Sequence, residues 1–292
     1  MPDYKTHSIH SELVFNNIRR KTDIDLDKLK IFSFGPDSLI STNYKLFNYQ
    51  HSHKTKDYFE SLLKYIKDNK LQDNSEVMSF LYGQLDHFIL DIIIHPLIYY
   101  MTEKMPVRYR LKPHTLLELW ISDYVMTRYQ KGNKNYYSSM KISRQLKDVI
   151  NNSYKKVYKK DNVASQYESG ISHIITFDSI RFSDNKLLKI ICNRLKIGDF
   201  FYKRNGHKAR KFLNFKHEII TNPVTGDEFK SSFDDLWTES IDVASELIDD
   251  VNRYLYLDRP LNNYFINGNI SYNTGLPCSE EEKFRFVRKY KQ

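Results

Sequence analysis

The chain has 292 residues, which is enough for one large domain or two ordinary ones. Its 40% hydrophobic and 28% charged residues exclude a disordered chain and are typical of a globular protein. The net charge of +9 suits a partner that carries phosphate, either nucleic acid or an anionic membrane surface, but a lysine-rich composition also produces such a charge without any functional reason.

The cysteines and the apolar segments indicate in which cellular compartment the protein is located. Cys192 and Cys278 form no CxxC motif, and two distant cysteines do not make a disulfide framework. The N-terminus lacks the apolar core of a secretion signal. The best candidate for a membrane span, residues 88–101, is interrupted by polar residues and a proline. The sequence therefore predicts a cytoplasmic protein.

In the first half of the chain, apolar residues at helical spacing predict four helices. These cover about residues 8–20, 26–31, 54–68 and 75–94. After the second helix comes Gly35–Asp37, a glycine–proline turn that presents a carboxylate. Pro96 is expected to end or kink the fourth helix just past His95, because proline has no backbone N–H. Gly83 in the same helix is expected to let another backbone come close.

In the second half, Pro113 predicts the start of a helix that has His114 in its first turn. Further helices are predicted over about residues 143–158, 163–180, 186–196 and 233–256. The last two of these are separated by Asn222–Gly226, whose composition indicates a turn.

The end of the chain indicates less regular structure. Residues 258–276 are rich in Asn and Gly, and Ser279 with Glu282 predicts the capping box of a terminal helix. The chain contains no convincing β pattern, internal repeat or linker. The prediction is therefore an all-α fold, with a single multi-helix domain over residues 1–292.

The most informative segment is Gly83–Pro96, where His87, Asp91 and His95 lie four residues apart in an otherwise apolar run. At 3.6 residues per helical turn, this spacing points all three side chains along one stripe. Buried imidazole and carboxylate groups need a partner, and a divalent cation is the commonest partner for this set. The spacing therefore predicts a zinc site on this helix.

The N-terminal half offers further metal ligands. His114 and Glu118 again lie four residues apart, so both side chains can address one ion. The remaining candidates are His7, Asp37 and either His51 or His53. Any one of these histidines alone is more often a surface or core residue, but the combination favours metal binding. In this half His10 and His53 are the two histidines to leave out, and His173, His207 and His217 fit no pattern.

The order of these motifs resembles the zinc-dependent phospholipase C family. That family has a fold and metal sites similar to those of the fungal single-strand nucleases. The resemblance is to the bacterial branch of the family that lacks a secretion signal, whose members contain short sequence segments similar to Asn222–Gly226 and Ser271–Gly275. The ligand-bearing resemblance covers about residues 2–125. It implies a metal-ligand half over residues 1–125 and a helical extension over residues 126–292 that packs around the cleft.

The resemblance implies two to three zinc ions in an α-helical cleft. Asp37, His51, His87 and Asp91 would hold one ion. His7 would hold a second, together with the α-amino group and carbonyl of the mature first residue and with Asp91 as a bridge. A third ion would be held by His95, His114 and Glu118. The four-residue spacing between the bridge and the next histidine is shorter than in the secreted enzymes, but it matches the signal-less branch.

Two of the implied ligands, Pro2 and His51, need a separate argument. Removal of the initiator methionine would expose Pro2, whose amine would take the place of the one that signal cleavage exposes in the secreted enzymes. His51 fits better than His53, because its distance from Asp37 is more suitable and because Lys54 follows it as in the family.

The implied activity is that of a phospholipase C-like phosphodiester hydrolase. Water activated by zinc would attack phosphorus in line, and Asp37 would accept a proton from that water. The substrate would be a phospholipid or a similar phosphoester, and contact with a membrane surface is an expected consequence.

Two alternatives stay open. One is a single-strand-type nuclease or nucleotidase that uses the same zinc site, with nucleic acid as its substrate. The other is a non-catalytic metal-binding protein whose ligands leave no open position. The oligomeric state is left open.

Overall fold

The structure is a computed structural model that describes residues 3–19, 23–105, 112–130, 140–183, 185–194 and 206–278. The described part is built almost entirely from helices, which confirms the predicted all-α class. Its α-helices are α1 Tyr4–Asn17, α2 Leu26–Phe32, α3 Tyr44–Ser52, α4 Thr55–Asp68, α5 Ser75–Glu103, α6 Pro113–Arg128, α7 Arg144–Tyr158, α8 Val163–Arg181, α9 Lys186–Arg194, α10 Gly206–Ala209, α11 Phe233–Leu257 and α12 Tyr264–Asn267. Short 3₁₀ helices cover Gly35–Leu39 and Arg210–Phe212.

α5 is the central helix of the fold. The Asn74 side chain accepts a hydrogen bond from the Val77 N–H at its N-terminus. The helix packs against α2, α11 and α6, so it is buried on almost every side. Its length and composition would suit a membrane span, but 94% of its most apolar window is buried inside the protein. The expected close approach of another backbone to Gly83 is confirmed, because a Cβ at this position would lie 2.5 Å from the carbonyl carbon of Phe32 in α2.

Pro96 was expected to end or kink this helix. An end just past His95 is wrong, since α5 continues through Pro96 to Glu103, while a kink stays a prediction. A proline at this position leaves the carbonyl of Ile92 without its usual helical donor. Gly275 packs against that carbonyl, and a Cβ at this glycine would lie only 2.5 Å from the Ile92 oxygen. The helix thus continues past Pro96, and the loop that contains Gly275 covers the Ile92 carbonyl, which has lost its helical donor.

Other boundaries also differ from prediction. α1 covers Tyr4–Asn17 rather than residues 8–20, and α3 was not predicted. Two three-residue strands, β1 Ile219–Thr221 and β2 Glu228–Lys230, form an antiparallel hairpin where no β structure was expected. The predicted turn between them is confirmed, because the Gly226 N–H donates to the Asn222 carbonyl. The predicted terminal helix after Ser279 lies outside the described residues.

The hydrophobic core consists of two clusters of buried side chains, and α5 contributes to both. Residues from its first half, such as Phe80 and Phe88, pack with α4, α7 and α11. Residues from its second half, such as Ile94 and Ile98, pack with α6 and the hairpin region. The segment that carries the predicted ligands lies where these two clusters meet. Large apolar side chains on both sides hold it rigidly.

Candidate metal centre

Five elements bring the predicted ligands together into three groups whose ligand atoms lie within 4.8 Å of one another. The first cluster is Asp37, His51 and His87, the second is His7, His87 and Asp91, and the third is His95, His114 and Glu118. α1, the Gly35–Leu39 turn, α3, α5 and α6 supply these side chains. Pro2 lies outside the described residues.

The first cluster is built around the turn before α3. His51 Nε2 lies 3.2 Å from Asp37 Oδ1, and all three side chains of the cluster are buried. Gly35 has a φ of +54°, and a Cβ on it would lie 2.4 Å from the His87 ring. Only glycine tolerates both conditions, so it allows the turn to place Asp37 beside the histidine of α5.

The second cluster joins α1 to α5. The imidazoles of His7 and His87 stack with their centroids 4.1 Å apart, and neither ring is exposed. Asp91 Oδ1 lies 3.5 Å from His7 Nε2, while its Oδ2 lies 3.2 Å from His87 Nε2 and 3.8 Å from His51 Nε2. The two oxygens of this carboxylate therefore face different sets of ligands.

The third cluster lies nearest to solvent. His114 Nε2 is 2.8 Å from Glu118 Oε1, and His95 Nε2 is 3.7 Å from the same oxygen. The side chain of His114 is 25% exposed, whereas those of Glu118 and His95 are buried. This difference in exposure gives one face of the cluster access to the outside.

Backbone carbonyls fix the tautomers of three ligand histidines. Nδ1 of His51 donates to the Phe47 carbonyl at 2.8 Å, and Nδ1 of His87 donates to the Ser33 carbonyl at 2.9 Å. Nδ1 of His95 likewise donates to a carbonyl, at 2.7 Å. Because each Nδ1 carries the proton, each Nε2 is left to bind a metal, as in metal sites whose outer hydrogen bonds orient the ligands.

The buried acceptors of the first two clusters fit a bound cation. Within the described part of the chain, the atoms without a hydrogen-bond partner include both nitrogens of His7, both oxygens of Asp37 and Asp91, and Nε2 of His51 and His87. Unpaired polar atoms at this depth are costly. Imidazole nitrogens and carboxylate oxygens that converge within a few ångströms are the ligand set that zinc prefers.

Electrostatics in the clusters favour ionised carboxylates. Burial acts to raise the pKa of Asp91, but the imidazoles of His95 and His87 outweigh it and hold the pKa well below its ordinary value. Burial likewise acts to raise the pKa of Glu118, and His114 outweighs it, so that this pKa is lowered too. Burial acts to lower the pKa of His87, but Asp91 outweighs it and the pKa is raised.

Sequence reasoning missed Tyr272, which supports two clusters through its backbone. Its carbonyl accepts the proton of His95 Nδ1, and its N–H donates to the His51 carbonyl at 2.8 Å. Its ring lies against His51 and Phe88, with centroid distances of 5.1 and 4.8 Å. From the sequence alone, the Ser271–Gly275 segment is only a stretch similar to one in the family. Contacts made by a main chain leave no residue-type signal.

The histidines that sequence reasoning set aside lie outside the clusters. His53 stacks on Tyr49 with centroids 4.3 Å apart. His10 lies between Asp86 and Ser240, at 2.7 and 2.8 Å, in an arrangement that resembles a catalytic triad. All three side chains are buried, and the serine hydroxyl also donates to a main-chain carbonyl. The arrangement therefore links α1, α5 and α11 and offers no nucleophile to a substrate.

A cavity of about 510 Å³ adjoins the third cluster, because Glu118 forms part of its wall. Most of the remaining wall is apolar and comes from α1, α6 and α8. It includes Tyr4, Ile40, Leu119, Ile174 and Phe177. Among the described residues, neither a lysine nor an arginine lines this cavity. The cavity is therefore a mainly apolar space beside the third cluster.

Comparison with known proteins identifies one family. The family model described as zinc dependent phospholipase C matches residues 6–171, which is more than half of the chain. No curated protein and no solved structure matches. The matched segment contains every ligand of the three clusters, and it ends before the Ser271–Gly275 segment.

Proposed function

The chain belongs to the zinc-dependent phospholipase C family, and we propose that it is a zinc-dependent phosphodiester hydrolase acting on a phospholipid or a similar phosphoester. The arrangement of Asp91 supports this proposal most directly. Its Oδ1 faces His7 of the second cluster, and its Oδ2 faces His51 of the first cluster and His87, which both clusters share, as expected of a carboxylate that bridges two ions. The chain would bind two to three zinc ions.

Each ion has a proposed set of ligands. Asp37, His51, His87 and Asp91 would hold one ion, and His7 with Asp91 would hold a second. The amine of Pro2 would complete the second site once the initiator methionine is removed. A third ion would be held by His95, His114 and Glu118.

When bound, zinc supplies the Lewis acidity that activates water and stabilises the charge on the leaving group. Asp37 is the proposed acceptor of the proton from the attacking water, because neither of its oxygens accepts a hydrogen bond from the residues that the structure describes. The half-buried face of the third cluster and the adjoining cavity give a phosphoester access to the ligands. This access favours a catalytic centre over a purely structural one.

The cavity also bears on the substrate. The part of its wall that the structure describes is mainly apolar and holds neither lysine nor arginine, so it suits an apolar substituent better than a polyanionic strand. A lipid or another hydrophobic phosphoester is therefore favoured over nucleic acid. The nuclease alternative remains one of the outcomes of the test.

The test is a parallel assay of the zinc-loaded protein with a chromogenic phosphocholine ester and with single-stranded DNA. We expect turnover of the ester, its loss after treatment with a chelator, and its return on addition of zinc. Turnover of DNA alone would favour the nuclease. If the loaded protein hydrolyses neither substrate, the proposal of a hydrolase is wrong and a non-catalytic metal protein is favoured.

A further inference from the structure

Exposed apolar side chains are concentrated in one short part of the described chain. Ten large hydrophobic residues are exposed in the whole of the described chain, and five of them lie between residues 177 and 191. Single exposed hydrophobic residues are common on protein surfaces, whereas a concentration of them marks an interaction site. This stretch covers the end of α8 and most of α9.

The exposed residues of α9 lie on one face. Leu187, Ile190 and Ile191 are 66%, 51% and 46% exposed, and their spacing of three and four residues places them on the same side of the helix. Ile180, near the end of α8, is 41% exposed. The α9 face, defined as Leu187, Ile190 and Ile191, is thus turned towards solvent, contrary to the usual orientation of an amphipathic helix in a globular protein.

The charges on α9 are of one sign. Its charged residues are Lys186, Lys189 and Arg194, and it contains no acidic residue. The whole chain also carries a net charge of +9. A short helix with an apolar face and basic flanks is typical of segments that lie in the headgroup region of an anionic membrane.

The same part of the molecule leads to the candidate metal centre. Phe177, one helical turn before Ile180, is 40% exposed and also lines the cavity that Glu118 shares. A surface that covers this end of α8 would therefore lie close to the cavity. A membrane in that position would bring lipid to the wall of the third cluster.

We propose that the α9 face, together with Ile180 and Phe177, docks the protein on an anionic phospholipid surface. The biological reason for this docking rests on the proposed function, but binding to a lipid surface can be measured without any hydrolysis of a substrate. A second copy of the chain is a poorer fit for this face. A nine-residue helix is only about 13 Å long, whereas a stable dimer needs about 800 Å² from each partner.

The test uses the full-length, zinc-loaded protein and sedimentation with vesicles. The vesicles contain either phosphatidylglycerol mixed with phosphatidylcholine or phosphatidylcholine alone. We expect binding to the anionic vesicles, weaker binding to the neutral ones, and a loss of binding at high salt. The double variant Leu187→Gln with Ile191→Gln should bind the anionic vesicles roughly tenfold to thirtyfold more weakly.

A matched control removes two exposed apolar residues elsewhere. Ile219→Gln with Leu257→Gln changes side chains that are 43% and 56% exposed, and this variant should bind vesicles like the unchanged protein. Equal binding by both double variants would overturn the proposal. So would a dimer of the unchanged protein that the α9 variant converts to a monomer. Hydrolysis of a water-soluble ester should be the same in all three proteins, so a failure of docking is distinguishable from a failure of the proposed activity.

Discussion

Both oxygens of the Asp91 carboxylate face imidazoles: Oδ1 faces His7 of the second cluster, and Oδ2 faces His51 of the first cluster and the shared His87. A carboxylate in this position can neutralise the charge of two ions at once, which a single histidine cannot do. The same helix carries a second buried aspartate, Asp86, whose partner His10 lies away from the clusters. The two aspartates therefore allow the metal-binding role of one to be separated from the effects of burial.

Asp91→Asn should lower the zinc content by about two ions per chain, because the neutral amide cannot bridge two cations. Hydrolysis of the ester should be lost with the metal. Asp86→Asn serves as the control and should destabilise the fold without changing the zinc content. Elemental analysis of both purified variants decides the matter. A fully loaded and active Asp91→Asn protein would contradict the assignment.

His51 and His53 provide a second matched pair, since they lie two residues apart at the end of α3. His51→Ala should reduce both zinc content and activity, because it removes a ligand that already has its Nδ1 fixed by a carbonyl. His53→Ala should leave both quantities unchanged, because its ring stacks on Tyr49 outside the clusters. The opposite result would mean that the two histidines have been assigned the wrong way round.

Zinc binding should weaken as the pH falls. Burial opposes the charged form of His87, but Asp91 outweighs it and raises the histidine pKa, so the proton competes with zinc at a higher pH than for an ordinary histidine. Protonation occupies Nε2, so the apparent zinc affinity should fall steadily from pH 8 to pH 5.5. Competition with a coloured chelator across this range measures the effect. An affinity independent of pH would exclude histidine ligands.

At the scale of the elements, the loop Ser271–Gly275 holds α5 and α3 in register. Tyr272 bonds to His95 and to the His51 carbonyl, while Gly275 packs on the Ile92 carbonyl. The loop follows α12, far from the ligands in sequence, and the family match does not include it. It is therefore part of the candidate centre that the chain supplies from outside the matched segment.

Gly275→Ala should displace this loop, since the residue has a φ of +68° and the new Cβ would lie 2.5 Å from the Ile92 oxygen. The strain should cost about 1–3 kcal/mol of stability. It should also weaken zinc binding by roughly 10- to 100-fold through the loss of support for His95.

Gly226→Ala is the matched control for this effect. Its φ is +83°, but it lies in the hairpin turn, so we expect a loss of stability with unchanged zinc affinity. Thermal unfolding and zinc titration of the two variants separate the effects. If both variants bind zinc as tightly as the unchanged protein, the loop has no supporting role.

The sequence predicted helices with strong amphipathic spacing and the ligands that repeat along them, because both depend on local geometry. It did not predict α3, whose sequence is largely polar, or two strands of only three residues each. It also did not predict the course of α5 past Pro96 or the role of Tyr272. Gly275, which packs on the Ile92 carbonyl, and Tyr272, which bonds to His95, each lie about 180 positions further along the chain than their partners.

At the scale of the whole molecule, the three clusters connect α1, α3, α5, α6 and the Gly35–Leu39 turn. The close contacts in the first two clusters join an imidazole nitrogen to a carboxylate oxygen. Many of these nitrogens and oxygens have no hydrogen-bond partner among the described residues. An ion in each cluster would satisfy these atoms and tie together helices from both hydrophobic clusters. Bound metal should therefore contribute to the stability of the whole fold, not only to activity.

Removal of zinc should lower the Tm of the protein substantially. A ligand that binds only the folded state at 1,000 times its Kd stabilises that state by about 4 kcal/mol. For a chain of this size, such a change corresponds to a shift of roughly 10 °C. Zinc should restore the original Tm, whereas magnesium should not, because it prefers a shell of oxygen ligands over imidazole nitrogens. The Asp91→Asn protein provides the internal control, since it should respond much less to zinc. An identical Tm with and without zinc would contradict a role for these clusters in holding the helices together.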